Sequence, residues 1–287
     1  MEIAVISGKG GTGKSSISAA LATIAAPVVL ADCDVDAANL FILFEPTHEE
    51  EIVYIGTQNA VINYDLCLNC GTCADYCRFD AISFVEGRIT IQEISCDGCK
   101  LCSRICPAKA ITMVDSDKSR IYSGTFRNGK MVYGRLAPGE ENSGKMVNII
   151  RNKAKEIAKK NSIETIILDG APGIGCPVIS TIAGVDKVVI VTEPTMSGLS
   201  DIERTIKTVS KFNVKAYVLI NKYDLNEEMT DKIIDFCADS EITVLGKLPF
   251  DKIVVDALSV RKTVIENAPG SELSLEIKKI HKKLIPN

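Results

Sequence analysis

The stretch SGKGGTGKSS, residues 7–16, follows a short apolar run and decides how the rest of the chain is read. Glycines at 8, 10, 11 and 13 let the backbone curl so that successive N–H groups face phosphate oxygens, a geometry that Cβ atoms obstruct. The spacing fits GxxxxGK[ST]: Gly8 and Gly13 bracket the turn, Thr12 lies within it, and Lys14, Ser15 and Ser16 end it. In such a loop Lys14 neutralises the β- and γ-phosphates and the Ser15 hydroxyl holds Mg²⁺. The helix that follows adds its positive end. One lysine suffices for the cradle, so Lys9 is a second without an assigned task, a solvated side chain on the simplest view.

Working outward, an apolar run at Glu2 to Ser7, a helical pattern from Lys14 to about Ala25 and a second run at Pro27 to Ala31 make a βαβ unit. Further β-branched runs recur at Glu51 to Ile55, Thr165 to Leu168, Lys187 to Val191, Ala216 to Ile220 and Ile242 to Leu245. Most lack polar alternation, which predicts strands buried on both faces of a parallel sheet. Helical faces lie between them, through Met146, Ile150, Ala154 and Ile157 and through Leu199, Ile202, Ile206 and Val209. The expected fold class is α/β, a doubly wound, mostly parallel sheet.

The alternation stops near Asn59 and resumes near Met146. Between them CLNCGTCADYCRFDAI (67–82) and CDGCKLCSRICPAKAI (96–111) align at a constant offset of 29, an internal duplication. Then SRIYSGTF and MVYGRL flank RNGK, a hairpin signal at Asn128-Gly129. We therefore expect a discontinuous principal domain, residues 1–59 and 119–287, with an α+β minidomain inserted at 60–118.

Composition narrows the function. With 46% hydrophobic and 24% charged residues among 287, the chain is that of a globular protein, and a net charge of −4 argues against general nucleic-acid binding. No basic leader precedes the first strand and no apolar run approaches the ~18 residues of a membrane span, so a cytoplasmic location is expected. Eleven cysteines in such a chain point to metal ligation over disulfides.

The cysteine spacing, CxxCxxCxxxC at 67, 70, 73 and 77 and again at 96, 99, 102 and 106 with Pro107 after it, resembles bacterial two-cluster ferredoxins. That resemblance implies one [4Fe-4S] cluster on Cys67, Cys70, Cys73 and Cys106, and another on Cys96, Cys99, Cys102 and Cys77. Zinc is the competing metal, although structural zinc favours CxxC pairs over triplets. Arg78 stands where the ferredoxin pattern has proline. Cys33 and Cys237 read as buried hydrophobes.

The order KGGTGKS resembles the deviant Walker A motif of the MinD, ParA and nitrogenase iron protein ATPases. On that resemblance Lys9 reaches the partner subunit's nucleotide, which implies an ATP-bridged homodimer. Asp34 and Asp36 in ADCDVDAANL match a first switch that orients water and holds Mg²⁺. Asp169 and Gly173 in IETIILDGAPG match a Walker B aspartate and a mobile second switch. Asn221 and Lys222, with Pro249 in LPFD, would line an adenine pocket; the run NKYD also resembles a guanine-reading motif, so the base stays open. Cys176 in PGIGCP sits where the nitrogenase iron protein has a ligand to a shared cluster. The tail, residues 271–285, carries an apolar stripe without aromatics, and a cap on the sheet is expected in place of a membrane helix. The combined expectation is an ATPase with Mg²⁺ and two [4Fe-4S] clusters, gating electron delivery to a redox or metallocofactor partner. A cluster carrier and a MinD-like positioning ATPase are the alternatives.

Overall fold

The computed structural model describes residues 1–140 and 142–285. β1 (Glu2–Ser7), α1 (Lys14–Ile24) and β2 (Val28–Asp32) open the chain, followed by α2 (Leu40–Phe44) and β3 (Glu50–Tyr54). Next come β4 (Gln58–Ile62), α3 (Thr72–Asp75), β5 (Ile82–Val85), β6 (Arg88–Ile91), α4 (Leu101–Ile105) and β7 (Ile111–Asp115). A hairpin of β8 (Ser119–Phe126) and β9 (Gly129–Arg135) leads into α5 (Ser143–Lys160), β10 (Thr165–Pro172) and α6 (Cys176–Ile182). The remainder alternates: β11 (Lys187–Thr192), α7 (Met196–Val209), β12 (Lys215–Asn221), α8 (Glu227–Asp239), β13 (Thr243–Leu248), α9 (Ile253–Ser259), α10 (Val264–Asn267) and α11 (Glu272–Leu284).

The main sheet runs β13-β12-β11-β1-β10-β2-β9-β8-β3 and is parallel from β13 to β9. Its central strands, β1 and β2 among them, are buried along their whole length, as continuous apolar runs require. Helices cover both faces. Met146, Ile150 and Ala154 of α5, Ile202 of α7 and Ile233 of α8 fill one side. Ala20 and Leu21 of α1 and Leu273, Ile277, Ile280 and Leu284 of α11 fill the other. The tail stripe is thus spent on the sheet, and no helix among the described residues is long and apolar enough to cross a membrane.

Two expectations need correcting. The run at Glu51 to Ile55 is not an interior parallel strand; β3 is the sheet's edge, antiparallel to β8, and its outer residues are exposed. An edge strand needs only one apolar face, so a short β-branched run does not distinguish edge from centre. The hairpin turn falls at Arg127-Asn128, not Asn128-Gly129, because Phe126 pairs with Gly129. Gly129 is required by crowding instead: it runs so close to β2 that a Cβ there would strike the Val28 carbonyl.

Between β3 and β8 the chain leaves the main sheet and makes two small ones, β4-β7 and β5-β6. The strand before the first cysteine run pairs with the strand after the second, and the inner two pair with each other. Left-handed residues repeat at the same offset as the sequence: Asn69 and Gly98, Gly71 and Lys100, Asp80 and Lys109. The duplication is therefore a backbone twofold as well as a sequence one. Ala81, Ile82, Ala110 and Ile111 lie buried beneath the cysteines.

Candidate functional site

The loop from Gly8 to Gly13 leaves β1 at the carboxyl edge of the sheet, where neighbouring connections diverge to opposite faces and open sheets bind ligands. Gly11 and Gly13 take φ of +82° and +88° and open the way to α1 at Lys14. Gly10 and Gly11 have nothing within 4 Å of a built Cβ, so one face of the loop is clear. Gly8 is pressed against the Cβ and carbonyl of Asp201 and Gly13 against the Asn221 side-chain amide, leaving room for no side chain. Thr12 is buried, and its Oγ1 has no partner among the described residues. An orphaned hydroxyl within a glycine cradle fits a polar ligand such as a phosphate.

Asp169, fully buried near the end of β10, organises the centre. Lys14 Nζ lies 2.9 Å from its Oδ1 and 3.8 Å from Asp34 Oδ2. Ser15 Oγ donates to Asp169 Oδ2 and Ser18 Oγ to Oδ1, each at 2.7 Å. Burial pulls the Lys14 ammonium down, but the carboxylates of Asp169, Asp34 and Asp32 overcome it and hold its pKa above the ordinary lysine value. For Asp34 burial wins over Lys14, and its carboxyl is raised. Ser15, Asp34 and Asp169 form an oxygen-only set beside the lysine, the donor chemistry Mg²⁺ takes.

The expected residues do not all converge. Asp36 is exposed and turns instead to a cleft of about 840 Å³ shared with Cys176, Gly144 and Ser180. Gly173, with φ +94°, donates its N–H to the Ser7 carbonyl and starts the loop into α6. Lys9 is not free in solvent: its Nζ meets Glu193 at 2.7 Å, Ser197 Oγ at 2.8 Å and Thr195 Oγ1 at 3.2 Å of its own chain. The other Glu193 oxygen pairs with Lys222, which also donates to the Gly11 carbonyl. These two lysines hold the Glu193 carboxyl below its usual range despite burial.

Asn221 Nδ2 donates to the Thr12 carbonyl at 2.8 Å, tying the end of β12 to the loop. Beside it an apolar cavity of about 280 Å³ is lined by Asn221, Pro249, Phe250 and Val254. Asp224 Oδ1 accepts the Phe250 N–H at 2.7 Å, so the aspartate of NKYD braces the cavity wall.

Sequence reasoning missed Asp32, Ser18 and Glu193. Asp32 is fully buried and accepts N–H bonds from Asp34, Asn39 and Leu40, each at 3.1 Å, which fixes the loop of Asp34. Burial, then the Asp169 charge, push its carboxyl up to about 7 against Lys14 and the N–H donors. The signal was available: ADCD ends a buried strand with two aspartates, and the first must lie in the sheet.

The eight clustered cysteines form two quartets. One hollow is lined by Cys67, Cys70, Cys73 and Cys106 and the other by Cys77, Cys96, Cys99 and Cys102. Each takes three thiols from one run and the fourth from the other. Cys33 and Cys237 are buried away from both.

Because Asp32 binds its proton more tightly folded than unfolded, its contribution to stability falls as pH rises from about 4 to about 7 and is flat above. Asp32→Ala should remove that slope in pH-dependent thermal unfolding. It should also cut ATP hydrolysis at least about tenfold with nucleotide binding retained, since it frees the Asp34 loop but leaves the cradle.

Residues 3–264 match the family described as the CobQ/CobB/MinD/ParA nucleotide binding domain. The chain is 37% identical to an uncharacterized protein of Methanocaldococcus jannaschii, over 99% of this chain and 96% of that one. Its fold is similar to MinD of Pyrococcus horikoshii complexed with Mg-ADP, with a TM-score of 0.60 at 16% identity over 99% and 96% of the two chains. A stretch of 87 residues is 29% identical to a ferredoxin of Pyrobaculum islandicum, 29% of this chain and 78% of that one. With its glycine cradle, the buried aspartate paired to Lys14 and the family match together, the chain belongs to the CobQ/CobB/MinD/ParA nucleotide-binding family and is a P-loop ATPase of the MinD/ParA kind.

Proposed function

We propose that this ATPase forms a nucleotide-bridged homodimer that gates one-electron transfer through two [4Fe-4S] clusters to a redox or metallocofactor partner protein. The observation that carries the reading is the crossing of the thiols: each hollow completes a triplet from one run with the last cysteine of the other. That is the ligand exchange of two-cubane ferredoxins. Residues 60–118 then serve as a ferredoxin domain inserted into an ATPase domain of residues 1–59 and 119–287, and the local likeness to a ferredoxin supports this.

The residues fit the group. Ile62, Ile89 and Ile111 flank one hollow and Ala60, Ile82 and Met113 the other, an apolar lining of the kind that tunes cluster potentials. Among the described residues no three His, Cys, Asp or Glu side chains converge on one ion's position. Thiols spread round a hollow suit a four-iron cube better than one zinc with bonds of ~2.3 Å. The clusters, when bound, supply reversible one-electron transfer.

The chain's own residues do the rest. Lys14 and the loop N–H groups take the phosphates, Ser15, Asp34 and Asp169 hold Mg²⁺, and the cavity beside Asn221 and Pro249 takes adenine. A guanine reader needs the NKYD aspartate free for the base; here it braces Phe250, which favours ATP. Lys9 would leave Glu193 to reach the partner's nucleotide, where its charge stabilises the departing γ-phosphate. Positioning on a membrane has less support, because the α11 stripe is buried.

Two double substitutions test the crossing in anaerobically purified protein. Cys67→Ser with Cys106→Ser should remove one cluster and about half the iron, whereas Cys67→Ser with Cys77→Ser should remove both. The reverse pattern would show uncrossed ligation. Lys9→Ala should keep ATP binding but lose dimerisation and hydrolysis by ultracentrifugation and phosphate release; normal turnover would remove the dimer from the account.

A further inference from the structure

Residues 136–140, which follow β9, touch both the loop of Asp34 and the turn before Cys96, two places that nucleotide-gated electron transfer would have to connect. At its start the Leu136 N–H donates to the Val35 carbonyl at 3.0 Å. Val35 is buried between Asp34, beside Lys14, and Asp36, in the cleft. The next residue, Ala137, donates its N–H to Ser119 Oγ at 2.9 Å. Gly139, with φ +79°, lies against the Ile94 carbonyl so tightly that no Cβ would fit, and Ile94 precedes Cys96 by two residues. Glu140 accepts the hydroxyls of Ser116 and Ser119, where the chain returns from the cysteine minidomain. Asn142 Nδ2 donates to the Gly56 carbonyl at 2.7 Å, where the chain departs for it. In the first turn of α5, Gly144 packs against α6, a built Cβ standing 3.1 Å from Cys176 Cβ and 3.2 Å from Ser180 Oγ.

We infer that residues 136–140 are a strap that transmits nucleotide state from the loop of Asp34 to the Cys96–Cys102 cysteine loop, with Glu140 the positioning residue that fastens it. The inference rests on the proposed gating and adds its route. The physical basis is that the strap has little slack. Its first residue extends the sheet ladder onto the first switch, its last accepts the Ser116 and Ser119 hydroxyls, and a glycine without room for Cβ presses on the turn leading into Cys96. Ser116 and Ser119 are buried, so Glu140 supplies the acceptor their hydroxyls need. A shift of Val35 must therefore move the strap or break hydrogen bonds in it. The second cysteine quartet is the one coupled. The first quartet has no contact with the strap among those found for the described residues, and Leu68 beside it is 71% exposed.

Hydrogen–deuterium exchange of the full cluster-loaded chain, with Mg-ADP or with Mg²⁺ and a non-hydrolysable ATP analogue, tests this directly. In the wild type, exchange across residues 92–102 should differ at least threefold between the nucleotides. In Glu140→Ala that difference should vanish while ATP hydrolysis stays within twofold. Glu140→Gln, which keeps an acceptor oxygen for the two hydroxyls, should retain the difference, which guards against a general loosening by Glu140→Ala. No difference in the wild type, an undiminished one in Glu140→Ala, or its loss in Glu140→Gln as well, overturns the strap. A strap that passes this test alongside unchanged cluster potentials would instead overturn the gating reading.

Discussion

A carboxylate with no exposed surface sits beneath the phosphate loop, and most of the molecule is arranged to satisfy it. Asp169 would cost several kcal/mol to bury unpaired, and it is met by the Lys14 ammonium and the hydroxyls of Ser15 and Ser18, all from the first turns of α1. That demand sets α1 over β10, which pairs with both β1 and β2, and holds the glycine loop open above. Asp32, one strand over, adds a second buried carboxyl that ties down the first-switch loop. The side chains of the candidate nucleotide site are thus pinned by one charge cluster before any ligand is considered.

The cysteine minidomain obeys a different constraint, that of closure. Two equivalent runs whose flanking strands pair crosswise bring the last cysteine of each beside the first three of the other. A tandem arrangement would have paired each run's own strands and left each quartet to itself. The left-handed residues repeating at 69 and 98, 71 and 100, and 80 and 109 are the backbone cost of the tight cysteine turns, borne twice because the unit is used twice.

Much of this was legible in the sequence because it follows from local rules. Glycines, a lysine and a serine at fixed spacing define a phosphate loop wherever a strand precedes them, and the crossed quartets of cysteines follow from the resemblance of their spacing to two-cluster ferredoxins. What escaped depends on long-range placement. Glu193 meets Lys9 only because β11 lies beside β1, and Ser18 meets Asp169 only because α1 crosses β10. Asp36 is separated from Asp34 by one residue, yet the two face different spaces. The edge position of β3 was hidden for the same reason, since an edge is a property of neighbours.

The central claim is that phosphate chemistry in one part of the chain alters the electron affinity of thiol-bound iron in the other. An EPR-monitored redox titration of anaerobically prepared protein measures it most directly, comparing Mg-ADP with a Mg²⁺-bound non-hydrolysable ATP analogue. The account predicts that at least one cluster's midpoint moves by about 60 mV, a tenfold change in a one-electron equilibrium. Superimposable titrations with both nucleotides would contradict it.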